Sequence, residues 1–304
     1  MKLELLKFAG IDIGSNAVRL LITNVIEEGK KNVMKKSSII RMPVRLGDSV
    51  FTRGIIPEEK VQKLIYTLEA YQKIMQVQEV VQYQCCATSA MREAANGSEV
   101  VAQIKAATGM EVDIISGVNE AELIFSTEVT HALGENKTFL FVDVGGGSTE
   151  CTLLSKRRVI DSESFKIGTL RLLHETVEPG EFSRLQEWLS ELIENYPKLM
   201  VVGTGGNINR YFKLAQVKEG KPLSYYHLLE MYDNLVEMKW EDRIRTFGLN
   251  PDRADVIIPA GELFLNILKW TKRKQIYVPK VGLADGIVRH LYLQHKKQHP
   301  EKYE

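Results

Sequence analysis

Val142-Asp143-Val144-Gly145-Gly146-Gly147-Ser148-Thr149-Glu150 begins as a short apolar strand, presents a carboxylate, turns on glycine and resumes a strand. The same pattern stands about 131 residues earlier, in Ile11-Asp12-Ile13-Gly14-Ser15-Asn16 followed by Ala17-Val18-Arg19-Leu20-Leu21-Ile22. Glycine lets backbone N–H groups approach an anion closely, and a neighbouring Asp can hold a divalent cation that neutralises it. Two such turns, each opening a stretch with room for a domain, point to two lobes with polyphosphate chemistry in the cleft between them. Three consecutive glycines between two carboxylates are costly in backbone entropy unless something must come close to the backbone. The second copy therefore carries the stronger signal.

Bulk properties narrow the class. At 304 residues the chain has room for two domains with buried cores. A formal net charge of +1 gives no global field of the kind a nucleic-acid binder carries, so a polyanionic ligand must meet locally focused positive charge. Of the three cysteines, Cys85 and Cys86 are adjacent and Cys151 is distant. That spacing gives no disulfide framework and no metal-ligand set, and it suits a reducing cytoplasm. The N-terminal MKLELLKFAG is too short and too charged for a signal peptide, and no apolar run approaches about 18 residues. A soluble cytoplasmic protein is expected.

Strand and helix patterns alternate along the chain. In the first half, strands are expected over 7–13, 18–25, 37–46, 77–86 and 112–115. Helices are expected after Pro57, over 99–107 with Ser98 as cap, and after Ser116-Gly117. In the second half, strands are expected over 139–142, 151–155, 158–164, 199–202 and 275–278. Helices are expected over 168–175, 181–195, 225–237, 255–271 and 284–296, with another after Asn207. The class is α/β with largely buried mixed sheets.

Further motifs bear on chemistry. Gly203-Thr204-Gly205-Gly206-Asn207 lies between a strand and a helix and suits phosphate contact through helix N-terminal amides. Ile208 stands where a dinucleotide fingerprint needs its third glycine, and no P-loop pattern exists. Arg92, after Ala87-Thr88-Ser89-Ala90, suits either a fork onto phosphate or a salt bridge with an acid such as Glu93. Glu120 follows a Ser-Gly turn at a helix start. Spacing alone favours simple complementarity to the helix dipole over a role as general base.

These residues resemble a known family. Asp12-x-Gly14-Ser15-Asn16 with Arg19-Leu20, Arg45-Leu46-Gly47, Ala87-Thr88-Ser89-Ala90-x-Arg92-Glu93-Ala94 and Ile115-Ser116-Gly117-x-x-Glu120-Ala121 carry the match in the first half. Asp143 to Glu150, Gly203 to Gly206, Arg253-Ala254-Asp255 and Gly282-Leu283-x-Asp285-Gly286 carry it in the second. In order and over nearly the whole chain, they resemble the exopolyphosphatase/guanosine pentaphosphate phosphohydrolase family, within the acetate kinase/sugar kinase/Hsp70/actin superfamily. The resemblance implies an α/β protein of two ribonuclease-H-like, actin-like ATPase domains, each a mixed sheet flanked by helices, with the active site in the interdomain cleft. The first domain would run over 1–126 and the second over 127–285, with the C-terminal helix in 286–304 a candidate to rejoin the first.

The same resemblance implies an Mg2+-dependent phosphohydrolase that removes terminal phosphate from inorganic polyphosphate, guanosine pentaphosphate or both. Glu120 would activate water, with Glu150 as the second catalytic carboxylate. Asp143 and Asp12 would serve the metal. Gly145, Gly146, Gly147, Ser148 and Thr149 would cradle the terminal phosphate, with Gly14, Ser15 and Asn16 opposite and Arg92 and Gly205 beside it. No nucleic-acid or membrane partner is implied, and a homodimer is compatible. The alternative is a non-catalytic polyphosphate or alarmone sensor of the same fold. Three departures stand out: Ala17 replaces a hydroxyl residue, Asn119 replaces a common Glu, and no His-Asp dipeptide occurs, as in the short two-domain members.

Overall fold

The computed structural model describes residues 4–28, 31–125, 137–156 and 158–299. The expected domain boundary at 126/127 and residues 300–304 lie outside the described residues. The chain divides into two compact units, Met1–Thr127 with Leu283–Glu304, and Glu128–Gly282.

In the first unit, β1 (Glu4–Ile13), β2 (Val18–Glu28) and β3 (Lys31–Met42) form an antiparallel meander. Two parallel strands, β4 (Gln82–Ala87) and β5 (Asp113–Ile114), then add beside β1, giving the order β3-β2-β1-β4-β5. Phe8 to Ile13 are buried on both faces of the sheet, which is why the Phe-Ala-Gly-Ile-Asp-Ile run reads as nearly unbroken rather than alternating. The helices are α1 (Leu46–Arg53), α2 (Glu58–Val77), α3 (Ser89–Glu93), α4 (Gly97–Thr108) and α5 (Gly117–Phe125). In α2, Val61, Leu64, Ile65, Leu68 and Tyr71 make the buried stripe, each aliphatic side chain contributing about 2 kcal/mol. The Tyr71 hydroxyl donates to the Val18 carbonyl at 3.0 Å.

The second unit repeats the scheme. An antiparallel meander of β6 (Thr138–Val144), β7 (Thr149–Ser155) and β8 (Arg158–Phe165) is extended in parallel by β9 (Met200–Thr204) and β11 (Gln275–Tyr277). With the two-residue β10 (Leu223–Ser224) at its edge, the order is β10-β11-β9-β6-β7-β8. Its helices are α6 (Thr169–Leu173), α7 (Glu181–Asn195), α8 (Gly206–Leu214), α9 (Tyr225–Glu237), α10 (Trp240–Phe247), α11 (Pro251–Ala254) and α12 (Ile257–Trp270). Helix α12 is apolar on most sides, and eight of its residues are buried in the core of this unit. The last helix, α13 (Leu283–Gln298), belongs to the first unit and packs on β1, where a Cβ at Gly10 would lie 2.6 Å from the Ala284 carbonyl oxygen.

Several expected elements differ. The strand expected from Val77 starts at Gln82, because the helical period of α2 persists through Met75 and the chain reverses at Glu79, with φ of 56°. The strand expected over 37–46 runs instead from Lys31 to Met42, and the fully buried Leu46 opens α1. Ser98 does not cap α4. Asn96 holds the N-cap position, and its amide is spent on the backbone of Ile56 at 2.9 and 2.8 Å. Among the described residues no helix is long and apolar enough to cross a membrane.

Candidate functional site

The two small-residue turns are the same hairpin. Ile13 pairs with Val18 and Val144 with Thr149, leaving four-residue loops closed by Gly14 N–H to Ala17 O (3.1 Å) and Gly145 N–H to Ser148 O (2.9 Å). Residues directly opposite in an antiparallel ladder share a face. In the first hairpin Asp12 lies opposite Arg19, whose guanidinium approaches its carboxylate to 3.5 Å. In the second, Asp143 lies opposite Glu150. Equal folds therefore carry unequal charge: an acid–base pair in one, two acids in the other.

Around the second hairpin the carboxylates are closely held. Glu150 is 5% exposed, and its Oε1 accepts from the hydroxyls of Ser148 (2.6 Å) and Ser164 (3.2 Å). Asp143 Oδ2 accepts from the Thr204 hydroxyl at 2.9 Å. Its Oδ1 sits where a Cβ on Gly205 would come, 2.5 Å away, and Gly205 has φ of 86°. Only glycine meets both demands at this strand-to-helix turn. Thr149 is fully buried and donates its hydroxyl to the Ile167 carbonyl at 2.5 Å, so its side chain braces the hairpin from behind.

Each loop is tied from behind by the segment after the third strand of its meander. In the first unit, Gly47 N–H donates to Ser15 O (2.8 Å) and Arg45 N–H to Asn16 O (3.0 Å). Arg45 adopts φ of 54°, fixed by two hydrogen bonds to Asp48 at 2.7 and 3.1 Å and by Lys60, whose ammonium donates to its carbonyl. Burial, the largest influence on it, pulls the Lys60 ammonium below its ordinary value. Ser15 is buried and shares a 2.8 Å hydrogen bond with Ser89. In the second unit, Gly145 O, Gly146 O and Gly147 O accept from Thr169 N–H, Leu170 N–H and Arg171 Nε at 3.0, 2.8 and 2.7 Å.

Arg92 and Glu120 lie in the first unit and meet through one connection. Arg92, half-buried in α3, donates to the Ile115 carbonyl at 2.7 Å, just ahead of α5, and its other donors have no protein partner among the described residues. The Ser116 hydroxyl caps α5 by accepting the Asn119 N–H at 3.1 Å, which puts the half-buried Glu120 in the first turn. The Cys86 thiol is pushed up to about 12, first by burial and then by the negative charges of Asp113, Asp12 and Glu120. Cys86 is also the register partner of Asp12, so the two site carboxylates of this unit share its neighbourhood. Close packing seats α5: a Cβ on Gly286 of α13 would run into the Leu123 carbonyl.

Among the described residues no three His, Cys, Asp or Glu side chains gather as a protein-only metal cage. A facing pair of carboxylates suits Mg2+, which is commonly held through one or two carboxylates with its other positions left to water and phosphate. Sequence reasoning missed the bracing roles of Arg171, Ser164 and Ser89. The one visible signal was an arginine directly after the uncharged run Ile167-Gly168-Thr169-Leu170.

The half-sheet order carried twice, with a small-residue hairpin in each half, defines a protein of the actin-like ATPase fold. The Ppx/GppA phosphatase family matches residues 25–295, and the chain belongs to that family. It is 28% identical to exopolyphosphatase 2 of Mycobacterium tuberculosis, over 94% of this chain and 98% of that protein. It is equally identical to the bifunctional 3-dehydroquinate synthase/phosphatase of Fusobacterium nucleatum over 89% of its length, but spans only 44% of that longer protein. The crystal structure of the Aquifex aeolicus Ppx/GppA family member superposes with a TM-score of 0.75 at 26% identity, covering 96% of this chain and 99% of the other.

Proposed function

We propose that this chain hydrolyses the terminal phosphoanhydride of inorganic polyphosphate and releases inorganic phosphate. The observation that carries the reading is the facing pair Asp143 and Glu150 beside three consecutive glycines whose carbonyls are all tied back. Family membership and the likeness to exopolyphosphatase 2 support polyphosphate as the substrate.

The roles follow from chemistry. The amides of Gly146, Gly147 and Ser148 and the turn at Gly205 bind phosphate oxygens. Gly14, Ser15 and Asn16 supply the corresponding loop of the first unit, and Arg92 adds a charged fork. Asp143 holds Mg2+ with Glu150 beside it; Asp12, already opposite Arg19, has the smaller share. A cation held there would supply positive charge to offset that on the phosphate oxygens. Glu120 orients the attacking water and takes its proton. A glutamate is a weak base, so positioning and electrostatics supply most of the rate, as in phosphoryl transfer generally. Guanosine pentaphosphate ends in the same anhydride and is the second substrate to test.

Phosphate release from long polyphosphate, short polyphosphate, guanosine pentaphosphate and ATP, with Mg2+ and after chelation, tests the reading. Release from polyphosphate that chelation abolishes is expected. Glu120→Gln should lower turnover by about a hundredfold or more while the fold is kept. Polyphosphate binding without release in the wild type would replace the enzyme with a sensor of the same fold.

A further inference from the structure

Arg171 is 5% exposed, sits in the short helix α6, and sends its guanidinium to the carbonyl of Gly147 rather than to solvent. That bond is the third of a series. Three successive carbonyls, of Gly145, Gly146 and Gly147, point into one segment and are met there by two backbone amides and one side chain. The segment lies very close: a Cβ on Gly168 would run into the Gly146 carbonyl.

A trans peptide is planar, and its N–H points opposite to its C=O. Fixing the three carbonyls toward α6 therefore aims the N–H groups of Gly146, Gly147 and Ser148 to the other side. None of these three amides has a protein acceptor among the described residues. Parallel backbone N–H groups of this kind form an anion-binding concavity. Without its tie the Gly147–Ser148 peptide could rotate, since glycine imposes little restraint on its own dihedrals.

We propose that Arg171 is a positioning residue for phosphate: by holding the Gly147 carbonyl it aims the Ser148 amide at a phosphate oxygen. This rests on the phosphate reading of the glycine loop given above. A lysine at 171 keeps the charge but not the planar fork, and a methionine keeps only the bulk.

The test compares wild type, Arg171→Lys, Arg171→Met and Leu189→Ala, a core truncation in α7. Binding of inorganic phosphate is measured by calorimetry, KM and kcat with short polyphosphate, and the unfolding midpoint of each protein. Arg171→Met is expected to weaken phosphate binding and raise KM by roughly tenfold or more, the worth of one hydrogen bond to a charged group. Arg171→Lys should recover part of this, and Leu189→Ala should lower only the midpoint. Should Arg171→Met not fold, Arg171→Lys carries the comparison, with an intermediate loss of binding expected. Wild-type phosphate affinity in a folded Arg171 variant, or a loss no larger than that of Leu189→Ala, would overturn the proposal. A wild type that neither binds nor releases phosphate would instead remove the reading of the loop on which it stands.

Discussion

Asp143 faces Glu150 across the β6–β7 ladder, in the register position that Asp12 and Arg19 occupy in the first unit. Two carboxylates on one face favour a shared cation, whereas an acid opposite a guanidinium already faces a positive group. The duplicated fold thus has one hairpin suited to a metal and one suited to an anion near a balanced pair.

Asp143→Asn should accordingly raise the Mg2+ concentration for half-maximal phosphate release by about tenfold or more, given the weight of a single ligand in such a site. Asp12→Asn should shift it far less. A Mg2+ titration of both variants decides the point, and equal shifts would contradict the assignment.

Gly205→Ala should cost activity as well as stability. Its φ of 86° strains any L-residue by about 1–2 kcal/mol, and the new Cβ would displace the Asp143 carboxylate. Gly220 offers a matched control, with φ of 79° and nothing within 4 Å of an added Cβ. In denaturant unfolding Gly220→Ala should lose only what the backbone strain costs, while Gly205→Ala loses more and alone loses phosphate release.

Gly286→Ala should act on Glu120 from a distance. The methyl would push α13 against the Leu123 carbonyl and shift α5, overpacking that costs about 1–3 kcal/mol. The expected signature is a lowered kcat in a protein still folded at the assay temperature. Unchanged kcat would show that α5 tolerates the shift.

Acid should weaken the second unit partly through Glu181. Hydrogen bonding from Arg184 is the largest influence holding its carboxyl below the ordinary range, and the Lys166 N–H at 2.6 Å adds to it. A lowered folded-state value means that the contribution is complete above the unfolded value, near 4.3, and is lost as pH falls through the folded one. Glu181→Gln should flatten that acid limb of the unfolding midpoint. Parallel limbs in the two proteins would assign the acid loss to other groups.

What could be read from sequence was local. The hairpins were legible because Asp, Gly and small residues fall within nine positions, and α7 and α9 because their apolar residues recur at helical spacing, with Ser224 capping α9. The partner of each Asp required register: Arg19 and Glu150 stand in plain view, but only the four-residue loop sets them opposite Asp12 and Asp143. Arg171 was hidden for a different reason, since its contact reaches back 24 residues to a carbonyl that no spacing rule connects with it. Ser98 misled because Asn96, two residues earlier, holds the cap position while its side chain serves Ile56.

The first unit is also finished out of order. Its strands β1 to β5 are made early, but α13, which covers Gly10 and presses Gly286 against α5, comes from the far end of the chain. A ribosome delivers the whole of the second unit before that helix emerges, and domains fold as their sequences complete. The glycine loop at Gly145 can thus take shape on a nascent chain, while the helix bearing Glu120 gains its packing against α13 only after residues 283–298 have followed. Of the two units, the one begun before the other is completed after it.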